Sequence, residues 1–128
     1  MSREKTVLIV DDAMFMRSML KKVIAAAGDY TVYEAGDGQA AIAAYEERHP
    51  GLVLLDISMP GMNGIDVLKA LKQRDGDSCV IMCSAIGQER MIKEAVENGA
   101  ADFIVKPFGA EQIAAALKKA YPPEQSKE

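Results

Sequence analysis

The sequence predicts an α/β fold: a doubly wound sheet of five parallel strands with five helices packed on its two faces. Three observations carry this. Short apolar runs of strand character alternate five times with apolar stripes at helical spacing. The runs at residues 6–10 and 52–55 are continuously apolar, as strands buried on both faces are. The chain has 128 residues, enough for one core and its surface but not for two. Strand–helix units repeated in this way need parallel neighbours joined by right-handed crossovers.

Each element has its own signal. Residues 6–10 form the first strand. Phe15, Met16, Met19, Leu20, Val23, Ile24 and Ala27 then recur on one helical face, with Gly28 as the stop. Residues 30–35 alternate and carry Glu34, which predicts a more exposed edge strand. Ala41, Ile42 and Tyr45 mark the second helix, ended by His49, Pro50 and Gly51. Residues 52–55 are the third strand and run into Asp56. The turn residues of Met59-Pro60-Gly61-Met62-Asn63-Gly64 make a loop, and Ile65, Leu68 and Leu71 begin the third helix. Residues 80–83 are the fourth strand. Met91, Ile92, Ala95 and Val96 mark the fourth helix, closed by Asn98 and Gly99. Residues 103–105 are the fifth strand, and Ile113, Ala116, Leu117 and Ala120 line the fifth helix. The domain is expected to span residues 1–128, with its core at about 5–121 and a frayed polar tail at 122–128.

Composition narrows the function. The formal charge is −4 and no basic block is present, which argues against a nucleic-acid partner. No apolar run approaches the length needed to span a bilayer, and the charged start with its short apolar run does not make a secretory signal. A cytoplasmic protein without a membrane partner is expected. Cys79 and Cys83 are spaced neither as a redox pair nor as zinc ligands, and about 13 Å of strand would separate them. They are expected to be buried thiols.

The chemistry lies where the apolar runs end. Asp11 and Asp12 follow the first run, Asp56 the third, Ser84 the fourth, and Lys106 and Pro107 the fifth. In a parallel sheet these ends converge, and sites form at the carboxyl edge near a switch in strand order. Like carboxylates about 4 Å apart repel by roughly 4 kcal/mol at an effective dielectric near 20. A hard divalent cation offsets that, and Mg²⁺ commonly uses one or two carboxylates together with phosphate oxygens. No histidine cluster or ligand thiolate suggests a softer metal. With Lys106 as a second cation and Ser84 as a hydroxyl donor, the set describes a phosphoryl acceptor with Asp56 as nucleophile.

These residues carry a family resemblance. The stretches Val7-Leu8-Ile9-Val10-Asp11-Asp12, Met59-Pro60-Gly61-Met62-Asn63-Gly64 and Gly99-Ala100-Ala101-Asp102-Phe103-Ile104-Val105-Lys106-Pro107-Phe108 resemble the motifs of response-regulator receiver domains of two-component systems. The match covers roughly residues 5–121. The resemblance implies a flavodoxin-like strand order 2-1-3-4-5. It implies Mg²⁺ held by Asp12, Asp56 and the backbone carbonyl of Ser58, with Asp11 acting mostly through water, and a cis Lys106–Pro107 peptide that helps aim the lysine. It also implies a switch: Ser84 moves toward the phosphoryl group, and Phe103 turns inward. That reshapes the face formed by the fourth helix, fifth strand and fifth helix. Many relatives carry Tyr and Thr where this chain has Phe103 and Ser84, so its switch would rest on packing. Ser58 and Ile86 stand at positions that tune phosphoryl lifetime in relatives, and bulky Ile86 is expected to obstruct attacking water.

The chain stops soon after the fifth helix, so a stand-alone receiver that acts by binding another protein is expected. Similarity to the chemotaxis members around residues 84–88 implies a CheA-like histidine kinase as donor and a flagellar motor switch protein as target. A phosphorelay intermediate would use the same site. No dimer signature stands out, so a monomer is expected.

Blander readings compete at each position. An Asp pair after a strand can simply cap the next helix. Ser84 alone reads as a turn residue, Lys106 alone as a solvated lysine, Phe103 alone as core, and His49 as an exposed helix-end cation. Gly36-Asp37-Gly38-Gln39-Ala40-Ala41 imitates a dinucleotide fingerprint, but it follows an edge strand. A haloacid-dehalogenase-like phosphatase shares Asp, Mg²⁺, Ser and Lys, but needs a second acid where this chain has Ser58. No catalysis beyond its own phosphorylation and dephosphorylation is expected.

Overall fold

The computed structural model describes residues 5–122. Along the chain run β1 (Thr6–Val10), α1 (Met14–Ala27), β2 (Thr31–Ala35), α2 (Gly38–Arg48), β3 (Leu52–Asp56), α3 (Gly64–Arg74), β4 (Val80–Ser84), α4 (Glu89–Glu97), β5 (Asp102–Val105) and α5 (Ala110–Ala120). All strand pairs are parallel, in the order β2-β1-β3-β4-β5. The order and the helix count are those expected. Of the expected frayed tail, residues 123–128 lie outside the described residues.

Side-chain alternation divides the central strands between two cores. Leu8, Val10, Val53, Leu55 and Met82 face α2, α3 and α4, where Ala41, Tyr45, Leu68, Leu71 and Ala95 meet them. Val7, Ile9, Leu52, Leu54, Ile81 and Cys83 face α1 and α5, against Leu20, Ile24, Ile113 and Leu117. The continuously apolar runs are thus explained, since both of their faces are covered. Truncating one of these side chains to Ala costs about 2–5 kcal/mol. The β2 edge is more open, as its alternation predicted.

Helix ends follow local chemistry. Asp37 accepts from the Ala40 N–H at 2.8 Å and Asn63 from the Asp66 N–H at 3.0 Å, each capping its helix. His49 closes α2 in the left-handed region, at φ 45°. Several apolar residues depart from their expected places: Ala27 on α1 is exposed, and Cys79, just before β4, is only partly buried while Cys83 is buried as expected. Phe15 on α1 is 76% exposed, Val96 on α4 is 52% exposed and Phe103 on β5 is 40% exposed. A helical stripe wider than the surface it covers leaves its margins in water, and β5 is an edge strand. Beyond α5, the Tyr121 hydroxyl accepts from the Thr6 N–H and donates to the Thr6 carbonyl, both at 2.9 Å. That ties the end of the fold to its first strand.

Candidate functional site: an acidic pocket at the carboxyl edge

Because β1 lies between β2 and β3, the chain leaves β1 in one direction and returns to its other side through α2. The strand order switches there, and the connections part to leave a crevice. Asp11, Asp12 and Asp56 meet in it. One carboxylate oxygen from each lies within 4.8 Å of the others. Asp11 and Asp56 are buried and Asp12 is exposed. Lys106 reaches in from the end of β5, with Nζ 3.4 Å from Asp11 Oδ2 and 3.3 Å from Asp56 Oδ1. Its own N–H donates to the Ser84 carbonyl at 2.7 Å, which joins the ends of β4 and β5. The Lys106–Pro107 peptide is cis.

Asp56 is buried against both Asp11 and Lys106. It ends a strand whose five residues are all buried. Burial raises its pKa and the neighbouring Asp11 raises it further, while Lys106 and the Ser58 N–H pull the other way without cancelling them. Burial opposes the charge of Lys106, but Asp56 and Asp11 outweigh it and hold the ammonium above its ordinary pKa. Three carboxylates thus face one ammonium, an excess of two negative charges. Such a set of hard oxygen donors fits a small divalent cation. Cys83 lies close enough to feel the same charges. Burial pushes its thiol up to about 12, so it offers no thiolate.

The blander reading of the Asp pair as a helix cap does not hold, because α1 has Ala13 at its N-cap and no side-chain capping bond. Asp11 Oδ1 accepts from the Ala13 N–H at 2.9 Å, which shapes the turn into α1. The carboxylate therefore holds that turn and faces Lys106 at once. Ser84 is fully buried, and its Oγ points to the Ile104 carbonyl at 3.5 Å rather than to Asp56. Ser58 is exposed, while its backbone N–H is near enough to the Asp56 carboxylate to lower that group's pKa.

Several contributors escaped the sequence reading. Arg17 donates to the Asp11 carbonyl at 2.7 Å and to Glu34 at 2.9 Å, bracing the β1 end against β2. A charge inside a predicted strand, Glu34, was the available signal for a partner on α1. Gly64 admits the start of α3 against the backbone of Asp56: an added Cβ would sit 2.2 Å from the Asp56 carbonyl oxygen. Gln88 bridges Ala85 and Ser58. Gly38, part of the imitation fingerprint, is buried under Met62, whose sulfur would lie 2.6 Å from a Cβ there. That glycine serves packing, and Asp37 beside it is a helix cap.

Comparison with known proteins agrees with this geometry. Residues 7–118 match the family model described as response regulator receiver domain. The chain is 50% identical over 115 residues to the chemotaxis protein CheY of Thermotoga maritima, covering 90% of this chain and 96% of that protein. It is 40% identical over 122 residues to the sporulation initiation phosphotransferase F of Bacillus subtilis, covering 95% and 97%. The crystal structure of the NtrX receiver domain from Brucella abortus superposes with a TM-score of 0.85 at 31% identity, covering 92% of this chain and 99% of that one.

Proposed function

The chain belongs to the response regulator receiver domain family, and from that premise we propose that it is a single-domain signalling switch, phosphorylated on Asp56 by a histidine kinase. The observation that carries this is the buried Asp56 at the end of a central strand, 3.3 Å from Lys106 and clustered with two further carboxylates. In the reaction, an Asp56 oxygen forms a bond to phosphorus as the phosphorus–nitrogen bond of a phosphohistidine breaks, and the departing imidazole takes a proton. Lys106 neutralises phosphoryl oxygens, and the Ser84 hydroxyl donates to one of them after moving from Ile104. Asp12, Asp56 and the Ser58 carbonyl would hold Mg²⁺, with Asp11 acting through water. The bound ion would supply positive charge where the phosphoryl group carries negative charge.

The output is a change in protein binding. Val96 on α4 and Phe103 on β5 are exposed apolar side chains, and supply a face that a target protein can read. Chemotaxis is the favoured process, with a CheA-like kinase as donor and a flagellar motor switch protein as target. The higher identity to a chemotaxis protein than to a sporulation phosphotransferase supports it over a phosphorelay role. Among the described residues no helix is long and apolar enough to cross a membrane, which suits a cytoplasmic monomer. The protein turns over no separate substrate, because Ser58 supplies no second acid for a leaving group.

Phosphotransfer tests the reading. Phosphorylated chemotaxis kinase should lose its label to the wild-type chain within seconds to minutes and to Asp56→Asn not at all. A histidine phosphotransferase that serves as the better donor would favour the phosphorelay role. Turnover of a chromogenic phosphate ester would contradict the non-enzyme assignment.

A further inference from the structure

The turn after β4 is fastened to the loop after β3. Gly87 lies in the left-handed region at φ 96°, which side-chain-bearing residues rarely adopt. The chain can thereby fold back over residues 85–88. Gln88 uses both ends of its side-chain amide there. Its Oε1 accepts from the Ala85 N–H at 2.6 Å, and its Nε2 donates to Ser58 Oγ at 3.1 Å. Both partners border the acceptor. Ala85 directly follows Ser84, and Ser58 stands two residues after Asp56. Gln88 is also the residue from which α4 starts; its side chain makes no capping bond to that helix and touches it only through Nε2, 3.9 Å from Met91 Sδ. One side chain thus connects the acceptor loop, the end of β4 and the first turn of α4.

We propose that Gln88 is a latch, a positioning residue that holds the β4–α4 turn in its resting arrangement and limits how readily Asp56 gains a phosphoryl group. The inference rests on Asp56 being the acceptor. In the resting structure the Ser84 hydroxyl faces Ile104, away from Asp56. Bringing it to a phosphoryl group displaces the next residue, Ala85, whose N–H the Gln88 amide holds. The two amide bonds stabilise the resting arrangement and must be released for the phosphorylated one. Their loss shifts the population toward the competent turn. Ile86, 79% exposed between the two ends of the latch, travels with it.

The test follows phosphoryl gain from acetyl phosphate and Mg²⁺ by intact mass, together with the resonance of the Lys106 amide, which is bonded to the end of β4. Gln88→Leu removes both bonds at similar volume. It should label about threefold to tenfold faster than wild type, the worth of roughly one net hydrogen bond. Its resting Lys106 amide resonance should lie part-way toward the position seen in phosphorylated wild type; that N–H donates to the Ser84 carbonyl and not to Gln88, so loss of the Gln88 bonds alone would not produce the displacement. Gln88→Asn keeps the amide but is one methylene too short to span both partners, and should behave like Gln88→Leu. Ser58→Ala should give a smaller gain, and the double variant should be no faster than Gln88→Leu. A wild-type rate in both Gln88 variants, or additive gains in the double variant, would overturn the latch while labelling that depends on Asp56 upheld the acceptor. No labelling of wild type would overturn both.

Discussion

Replacing Gly64 with Ala tests how the fold places its acceptor. The added Cβ would meet only backbone: the Asp56 carbonyl oxygen at 2.2 Å, the Ile57 Cα at 2.7 Å and the Asp56 carbonyl carbon at 3.0 Å. No rotamer change relieves such contacts, so α3 must retreat from β3 by about 1 Å. Overpacking of this kind costs about 1–3 kcal/mol. The retreat also stretches the 2.8 Å bond from the Gly64 N–H to the Ile57 carbonyl, at a cost of about 1 kcal/mol. Ala is the better helix former and returns up to about 1 kcal/mol. The net loss is about 1–3 kcal/mol, and the melting temperature should fall by roughly 5–10 °C. Urea unfolding followed by circular dichroism should show a lower midpoint with an unchanged slope. Gly76→Ala is the control, since nothing lies within 4 Å of a Cβ there. A Gly64→Ala protein within about 0.5 kcal/mol of wild type would refute the claim that α3 is pressed against the acceptor backbone.

Further expectations concern charge and water. Lys106→Ala leaves Asp11 and Asp56 without their ammonium; labelling by a small phosphodonor should slow by about 100-fold or more, measured by mass at saturating Mg²⁺. Ile86→Ala should speed loss of the phosphoryl group by about twofold to fivefold if the side chain shields it from water, followed as decay after the donor is removed; an unchanged decay would end the shielding role of Ile86. Glu34 has its pKa lowered, first by its hydrogen bond to Lys21 and then by that to Arg17. Its contribution is therefore present above its unfolded pKa and is lost as pH falls through its lower folded value. Glu34→Gln should cost about 0.5–1 kcal/mol at pH 7 and low salt, less in 1 M salt, and nothing in acid below the folded pKa, as read from urea midpoints across pH.

The five strands and five helices were legible because both faces of the central strands are covered and the helices keep their apolar stripes. Val7 and Leu8 sit side by side in sequence yet enter opposite cores. That arrangement requires an uninterrupted apolar run. Asp11, Asp12, Asp56 and Lys106 were legible because each ends such a run, and parallel pairing brings run ends together. The Ser84 hydroxyl was less legible: its position could be read, but its turn toward Ile104 depends on a resting conformation that no pattern encodes. Gln88 and Arg17 were hidden for a different reason. Each acts by a side chain reaching across elements, to Ser58 and to the Asp11 carbonyl, and neither interrupts a period or caps a helix. The exposure of Phe15 and Val96 followed from helix margins, which spacing alone does not mark.

The most direct measurement of the central claim is the intact mass of the wild-type chain and Asp56→Asn after incubation with acetyl phosphate, with and without Mg²⁺. One added phosphoryl group on the wild type, dependent on Mg²⁺ and lost in Asp56→Asn, is the expected result. Equal labelling of the two proteins would place the acceptor elsewhere, and no labelling of wild type under conditions that label other receivers would contradict the claim that this pocket takes a phosphoryl group.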